Sequence, residues 1–284
     1  MAREKGARHD VPAGFQLLPP RAGGGHRPPS SLGIELFDFS PLQWALICIA
    51  AFGNGFLMRT FGGGVGITLM PVLAIGFPAK FALVYLAICT SWVSLGIARQ
   101  MWRHWDRRMA YIFFPGMAAG VILGGWVLTW IPEYHLRFFI GAICLIIAAY
   151  QVFVELRGRP PNIAPMPVWA GIGIGSISGL NSTLANAGAT LLVPIMIGQN
   201  LAPRMIVGTI WAIFFLLNPL RLVAYWNAEI LTVPVVSATA IAIPLLWAGV
   251  RSGAWLQPRL PRRAFNLLVL SIALAGSIRI LLTG

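Results

Sequence analysis

Long apolar runs, separated by short basic or turn-forming segments, dominate the chain. A helix crossing the hydrocarbon of a bilayer needs about 20 mostly apolar residues, and six runs meet that length: 78–97, 110–130, 136–154, 202–225, 231–250 and 264–282. Two further apolar stretches, 41–76 and 165–198, are each interrupted near the middle. The first interruption carries Arg59 and Thr60, then Gly62, Gly63 and Gly64; the second carries Asn181, Ser182, Thr183, Asn186, Gly188 and Thr190. Each is followed by an apolar run containing a proline, Pro71 or Pro194, and closes on a proline and a base, Pro78-Ala79-Lys80 or Pro203-Arg204. The second pattern follows the first by about 120 residues.

Inside a membrane, every peptide N–H and C=O that a break releases must find another partner. A break placed at matching positions of two halves points to a transporter whose binding site lies between the halves. Basic residues orient the spans, because Lys and Arg concentrate in short cytoplasmic loops. Arg99, Arg103, Arg107 and Arg108 put the loop at 99–108 inside, Arg157 and Arg159 do so for 155–163, and Arg251, Arg259, Arg262 and Arg263 for 251–263. Only an even number of crossings connects 157 to 251, and two full spans already lie between them. The stretch 165–198 must therefore return to its own side as a hairpin of two short helices, and by the same reasoning so must 41–76. The fold expected is all-α and polytopic. It comprises two inverted repeats, 41–156 and 165–283, each a glycine-broken hairpin plus three transmembrane helices, with both termini outside. The basic tail argues for the opposite side, but the short loops govern orientation more directly.

Composition supports this class. The chain is 57% hydrophobic and only 10% charged, with a mean hydropathy of +0.76, far from a soluble domain of 284 residues. Residues 1–40 are polar, rich in Pro and Gly, and lack a signal-peptide core; they read as a disordered basic tail ahead of a transmembrane domain at 41–284. The formal charge of +13 needs no nucleic acid, since the basic loop at 99–108 beside a span suits anionic lipid headgroups. Cys48, Cys89 and Cys144 fall inside apolar runs and are too few for a disulfide framework or a metal site.

All eight acidic residues fall in tails or loops by these boundaries, and the four histidines fall there or at span edges. Neither intramembrane carboxylates for cation coupling nor a cluster for a metal, a cofactor or catalysis is present, so the chain reads as a non-enzyme. Arg59, by contrast, places a cation at the first break, where an anion would offset its cost in hydrocarbon. Helix N-termini at the breaks add partial positive charge and N–H donors, and Gly62, Gly63, Gly64 and Gly188 allow close backbone approach. Thr60, Asn181, Ser182, Thr183, Asn186, Thr190 and Thr209 supply neutral donors. These residues form the candidate anion site. Thr90, Ser91, Ser176, Ser178, Asn218 and Arg221 lie in or beside spans as candidates to line a path. Each has a plainer reading: glycines for helix packing, Arg59 snorkelling to an interface, Lys80 and Arg204 as topology anchors, and the polar residues of the second break bonding their own backbone.

The doubled pattern, through Gly62-Gly63-Gly64, Pro71, Pro78-Ala79-Lys80, Leu192-Val193-Pro194 and Ala202-Pro203-Arg204 to Gly208-Thr209, resembles the TauE/SafE family of sulfite and organosulfonate exporters over residues 41–283. Two places depart from the family pattern: Val84-Tyr85-Leu86 in the first half, and Asn186-Ala187-Gly188-Ala189 where a glycine run is usual. The resemblance implies secondary or facilitated transport of a small sulfur-containing or other organic anion across a bacterial inner membrane. A passive anion channel and a non-transporting partner subunit are the alternatives. Membrane lipids and the anion are the expected partners, and a homo-oligomer is compatible with this class.

Overall fold

The computed structural model describes residues 39–61, 65–101, 104–157, 166–256, 259 and 262–283. The basic tail and Gly62, Gly63 and Gly64 lie outside the described residues. Among those described, the chain is entirely helical: α1 (Pro41–Phe61), α2 (Val65–Leu73), α3 (Ala79–Met101), α4 (Arg107–Trp130), α5 (Glu133–Arg157), α6 (Val168–Ala185), α7 (Ala189–Gly198), α8 (Pro203–Asn227), α9 (Val233–Leu256) and α10 (Arg262–Thr283). At about 1.5 Å per residue, helices of 21 to 25 residues exceed the roughly 30 Å of hydrocarbon. Six helices are both long and apolar enough to cross, namely α1, α3, α4, α5, α8 and α9, and α10 has 22 residues. The protein is a polytopic helical membrane protein.

Two expectations change. The arms of each broken stretch are unequal rather than both short: α1 and α6 have 21 and 18 residues, α2 and α7 only 9 and 10. In lipid a helix runs on through Gly53 and Gly55, or Gly175 and Gly179, because leaving it would strand peptide groups. Glu133 and His135 also belong to the first turn of α5 and not to a loop. There the Glu133 carboxylate accepts the Ala79 N–H at the start of α3, and Arg137 donates to the carbonyls of Ala74 (3.0 Å) and Phe77 (3.4 Å). One turn of α5 thus satisfies the backbone of the α2–α3 elbow. The first stretch does fold back, since Gln43 near the start of α1 donates to the Gly76 carbonyl beyond α2 at 3.0 Å.

The order long, short, long, long, long occurs twice, and the packing mirrors it. Helix α4 lies along α6 as α9 lies along α1; α4 meets α8 as α9 meets α3; α3 packs on α8, and α5 on α10. The α4–α6 contact is backbone against backbone. A β-carbon at Gly116 would stand 2.0 Å from the Ile172 carbonyl oxygen, one at Gly120 2.1 Å from that of Ser176, and one at Gly179 2.1 Å from that of Met117. On the other pair, a β-carbon at Gly55 would meet the Leu246 carbonyl oxygen at 2.1 Å, and one at Gly249 that of Phe52 at the same distance. Without a hydrophobic force between helices in lipid, such close approach is what holds them together. Trp130, Tyr134, Trp226 and Trp255 project outward at helix ends, where amphipathic rings suit the membrane interface.

Candidate functional site

The second break is made by one residue. Asn186 ends α6 in the left-handed region at φ 54°, ψ 29°, a conformation that asparagine tolerates better than most residues. Its neighbours hold the turned backbone: Asn181 Nδ2 donates to the Ala187 carbonyl at 3.0 Å, the Thr190 hydroxyl donates to the same oxygen, and the Thr183 hydroxyl donates to Gly179 at 3.0 Å. Gly188 lies so near Ser182 that a β-carbon there would be 2.6 Å from the serine Cβ. Asn181 and Thr190 are therefore occupied with their own chain, as the plainer reading of these residues has it.

Three residues of α8, Asn218, Arg221 and Tyr225, share one helix face at three- and four-residue spacing, and that face grips the break. The Tyr225 hydroxyl donates to the Thr183 carbonyl at 2.8 Å. Arg221 Nη1 donates to Asn186 Oδ1 at 2.7 Å, to Ser182 Oγ at 3.1 Å and to the Ser182 carbonyl at 3.3 Å; Nη2 reaches the Ala87 carbonyl of α3 at 3.5 Å. Arg221 is 0% exposed. A guanidinium keeps its proton in proteins, and an uncompensated ion inside a protein costs several kcal/mol even after relaxation. All four acceptors are neutral, and among the described residues no carboxylate pairs with Arg221. Its Nε–H has no partner, nor has Asn186 Nδ2.

A row of neutral polar groups continues from this point. Asn218 Nδ2 donates to Ser94 Oγ at 3.1 Å, Ser94 donates to the Thr90 carbonyl at 2.8 Å, and Asn54 Nδ2 of α1 donates to Thr90 Oγ1 at 3.3 Å. Thr90 is the middle residue of the 23-residue α3, so the row lies at mid-span. The oxygens of the Asn54 and Asn218 amides and the Ser178 hydroxyl are buried without partners. The first hairpin touches the same place: a β-carbon at Gly66, at the start of α2, would be 2.1 Å from the Ala185 carbonyl oxygen. The two broken stretches thus meet, with the cation of α8 against the second.

This arrangement unites Asn181, Ser182, Thr183, Asn186, Gly188 and Thr190, but not Arg59, Thr60 or Thr209, while Gly62, Gly63 and Gly64 lie outside the described residues. Arg59 and Thr60 sit in the last turn of α1, beside Gly253 of α9, and the Thr60 hydroxyl donates to the Phe56 carbonyl at 2.7 Å. Thr209 lies twelve residues before Arg221 on α8; it accepts the Asp106 N–H at 2.8 Å and donates to Met205 at 2.7 Å, which ties the α3–α4 connection to α8. On sequence alone Arg221 is a candidate only to line a path, and not one of the residues of the candidate anion site. The available signal is an arginine well inside an apolar span, between Asn218-Pro219 and Tyr225 and far from Arg204 at the start of that span, by default a functional residue.

Residues 47–280 match the family model described as sulfite exporter TauE/SafE. The chain belongs to the TauE/SafE family. Comparison with curated proteins and with solved structures yields no match. The TauE/SafE match spans both broken stretches, Arg221 and at least part of all ten helices. It marks the protein as a membrane transporter of a family named for sulfite export.

Proposed function

We propose that this protein is a secondary or facilitated carrier of a small anion, sulfite or an organosulfonate, across a bacterial inner membrane, and that Arg221 is the cation that receives it. One observation carries the reading: a fully buried guanidinium, bonded only to neutral oxygens, stands at the break of a re-entrant hairpin with its Nε–H unused. An anion supplies the missing negative charge, and the pair costs far less to bury than the lone cation. The N–H groups of Arg221 and Asn186 bind its oxygens, with the Ser182 and Ser178 hydroxyls beside them.

The architecture offers a way to move. Read as inverted repeats, 41–156 and 165–283 are related by a shift of 124 residues, which pairs Lys80 with Arg204 and Gly55 with Gly179. The hydrogen bond between Ser94 and Asn218 joins two residues of that same separation, as a bond on a pseudo-two-fold axis would. Rocking of one half against the other about such an axis exposes a central site to each side in turn. Pro219, which has no N–H to give, sits inside α8 between Asn218 and Arg221 and gives that helix a place to bend.

The test is flux of sulfite and of methanesulfonate into proteoliposomes. Wild-type flux saturates and shows counterflow, and Arg221→Gln removes it while the purified variant stays monodisperse. Undiminished flux through Arg221→Gln refutes the site. Flux that never saturates identifies a channel instead of a carrier.

A further inference from the structure

Resting on the assignment of Arg221 as the anion-receiving cation, we infer that the site selects by charge state and takes monoanions only: hydrogensulfite and sulfonates, but not the sulfite or sulfate dianion. The inference follows from the charges that surround the site. Every other side chain bonded into it is neutral: Asn186, Ser182, Asn218, Ser94, Thr90 and Asn54. Of the other cations, Arg108, Arg204, Arg251 and Arg279 are exposed, and four more have places of their own. Arg137 holds the α2–α3 elbow, Arg59 ends α1, and Arg107 and Arg259 lie by Trp105 and Trp255, their Cζ atoms 5.9 and 4.0 Å from the ring centroids.

With one fixed positive charge, a monoanion makes the occupied site neutral. A dianion leaves a full negative charge buried, with only amides and hydroxyls to solvate it. That residual ion faces the same desolvation penalty as an unpaired carboxylate, which translates to an affinity lower by at least about a hundredfold. Asn186 fits this logic. Its amide oxygen, 2.7 Å from Nη1, occupies the place of an anion's oxygen with a dipole and no net charge. Turning that amide into a carboxylate would supply the missing charge from the protein itself.

Thermal shift of the purified protein, with methanesulfonate, sulfite and sulfate as probes, tests this. Methanesulfonate stays a monoanion throughout, and its apparent Kd is expected to be unchanged between about pH 6 and about pH 8, because a ligand that binds only the folded state stabilises it according to its occupancy. Sulfite should weaken over the same interval in proportion to the loss of hydrogensulfite, approaching about tenfold per pH unit once the dianion dominates, and sulfate should give no shift. Asn186→Asp keeps a residue tolerant of the left-handed turn; it should be at least as stable without ligand and should lose the methanesulfonate response. Sulfate binding as tightly as methanesulfonate, or sulfite binding more tightly as pH rises, overturns charge-state selection. Retention of the wild-type methanesulfonate response by Asn186→Asp overturns it as well. Arg221→Gln separates the two levels: loss of the methanesulfonate shift there upholds the site, and a retained shift refutes Arg221 as the receiving cation. Should Asn186→Asp fail to fold, the pH series on the wild-type chain decides alone.

Discussion

Two glycines of one helix, substituted identically, give a test of how α4 and α6 are held together. Gly179 and Gly173 both lie in α6, where alanine is favoured over glycine by about 1 kcal/mol on helix propensity alone. A β-carbon at Gly173 would meet nothing within 4 Å, so Gly173→Ala should simply gain part of that stabilisation. At Gly179 the same atom would stand 2.1 Å from the Met117 carbonyl oxygen and 2.8 Å from the Met117 Cα, against an ordinary contact beginning at 3.4 Å. The neighbour is backbone and cannot rotate away, so the helices must separate by about 1 Å, a gap that already forfeits a quarter to a half of each close contact. Gly116, Gly120 and Gly175 share that interface and would lose their contacts together. Overpacking of this kind costs about 1–3 kcal/mol, and both variants share the propensity gain, so Gly179→Ala should be about 2 kcal/mol less stable than Gly173→Ala, a difference of roughly 4–8 °C in Tm for a chain of this size. Thermal unfolding of both variants in one detergent measures the difference. Equal Tm values for Gly173→Ala and Gly179→Ala would refute the backbone-to-backbone packing.

Two further outcomes follow from the hydrogen bonds at either end of the bundle. Glu133→Gln keeps the size of the side chain but removes the charge that caps α3, and should cost about 0.5–2 kcal/mol in thermal unfolding; a double-mutant cycle with Arg137→Ala should show both acting on the same elbow, and no loss in either variant would contradict the clasp. Thr209→Val deletes the acceptor of the Asp106 N–H and should cost about 1 kcal/mol of stability, with methanesulfonate affinity unchanged; a large loss of affinity would place Thr209 at the anion after all.

Much of the architecture is readable in the apolar pattern because lipid leaves the backbone few choices. A run of about 20 apolar residues with no water to bond must become a helix, so the spans at 78–97, 110–130, 136–154, 202–225 and 231–250 correspond to α3, α4, α5, α8 and α9. The breaks are readable as well, because a glycine run or an Asn-x-Gly segment is a local property. Arm length is not. Whether α1 ends at Gly53 or runs to Phe61 depends on the backbone of α9, which Gly55 lets in to van der Waals range.

The site separates what is local from what is assembled. Asn181 and Thr190 are recognisable as the chemistry of a broken helix, since their side-chain hydrogen bonds reach residues at most six positions away. Arg221 acquires its role from Asn186 and Ser182, 35 and 39 residues earlier, and from Ala87, 134 residues earlier. The Asn218–Ser94 bond spans 124 residues. The sequence by itself determined the membrane, the helices, the two breaks and the family, because each follows from short-range composition and pattern. Only the tertiary structure decided which cation stands at the break, because a charge in an apolar helix costs or contributes according to neighbours brought in from distant parts of the chain, and those neighbours are set by how α3, α6 and α8 pack.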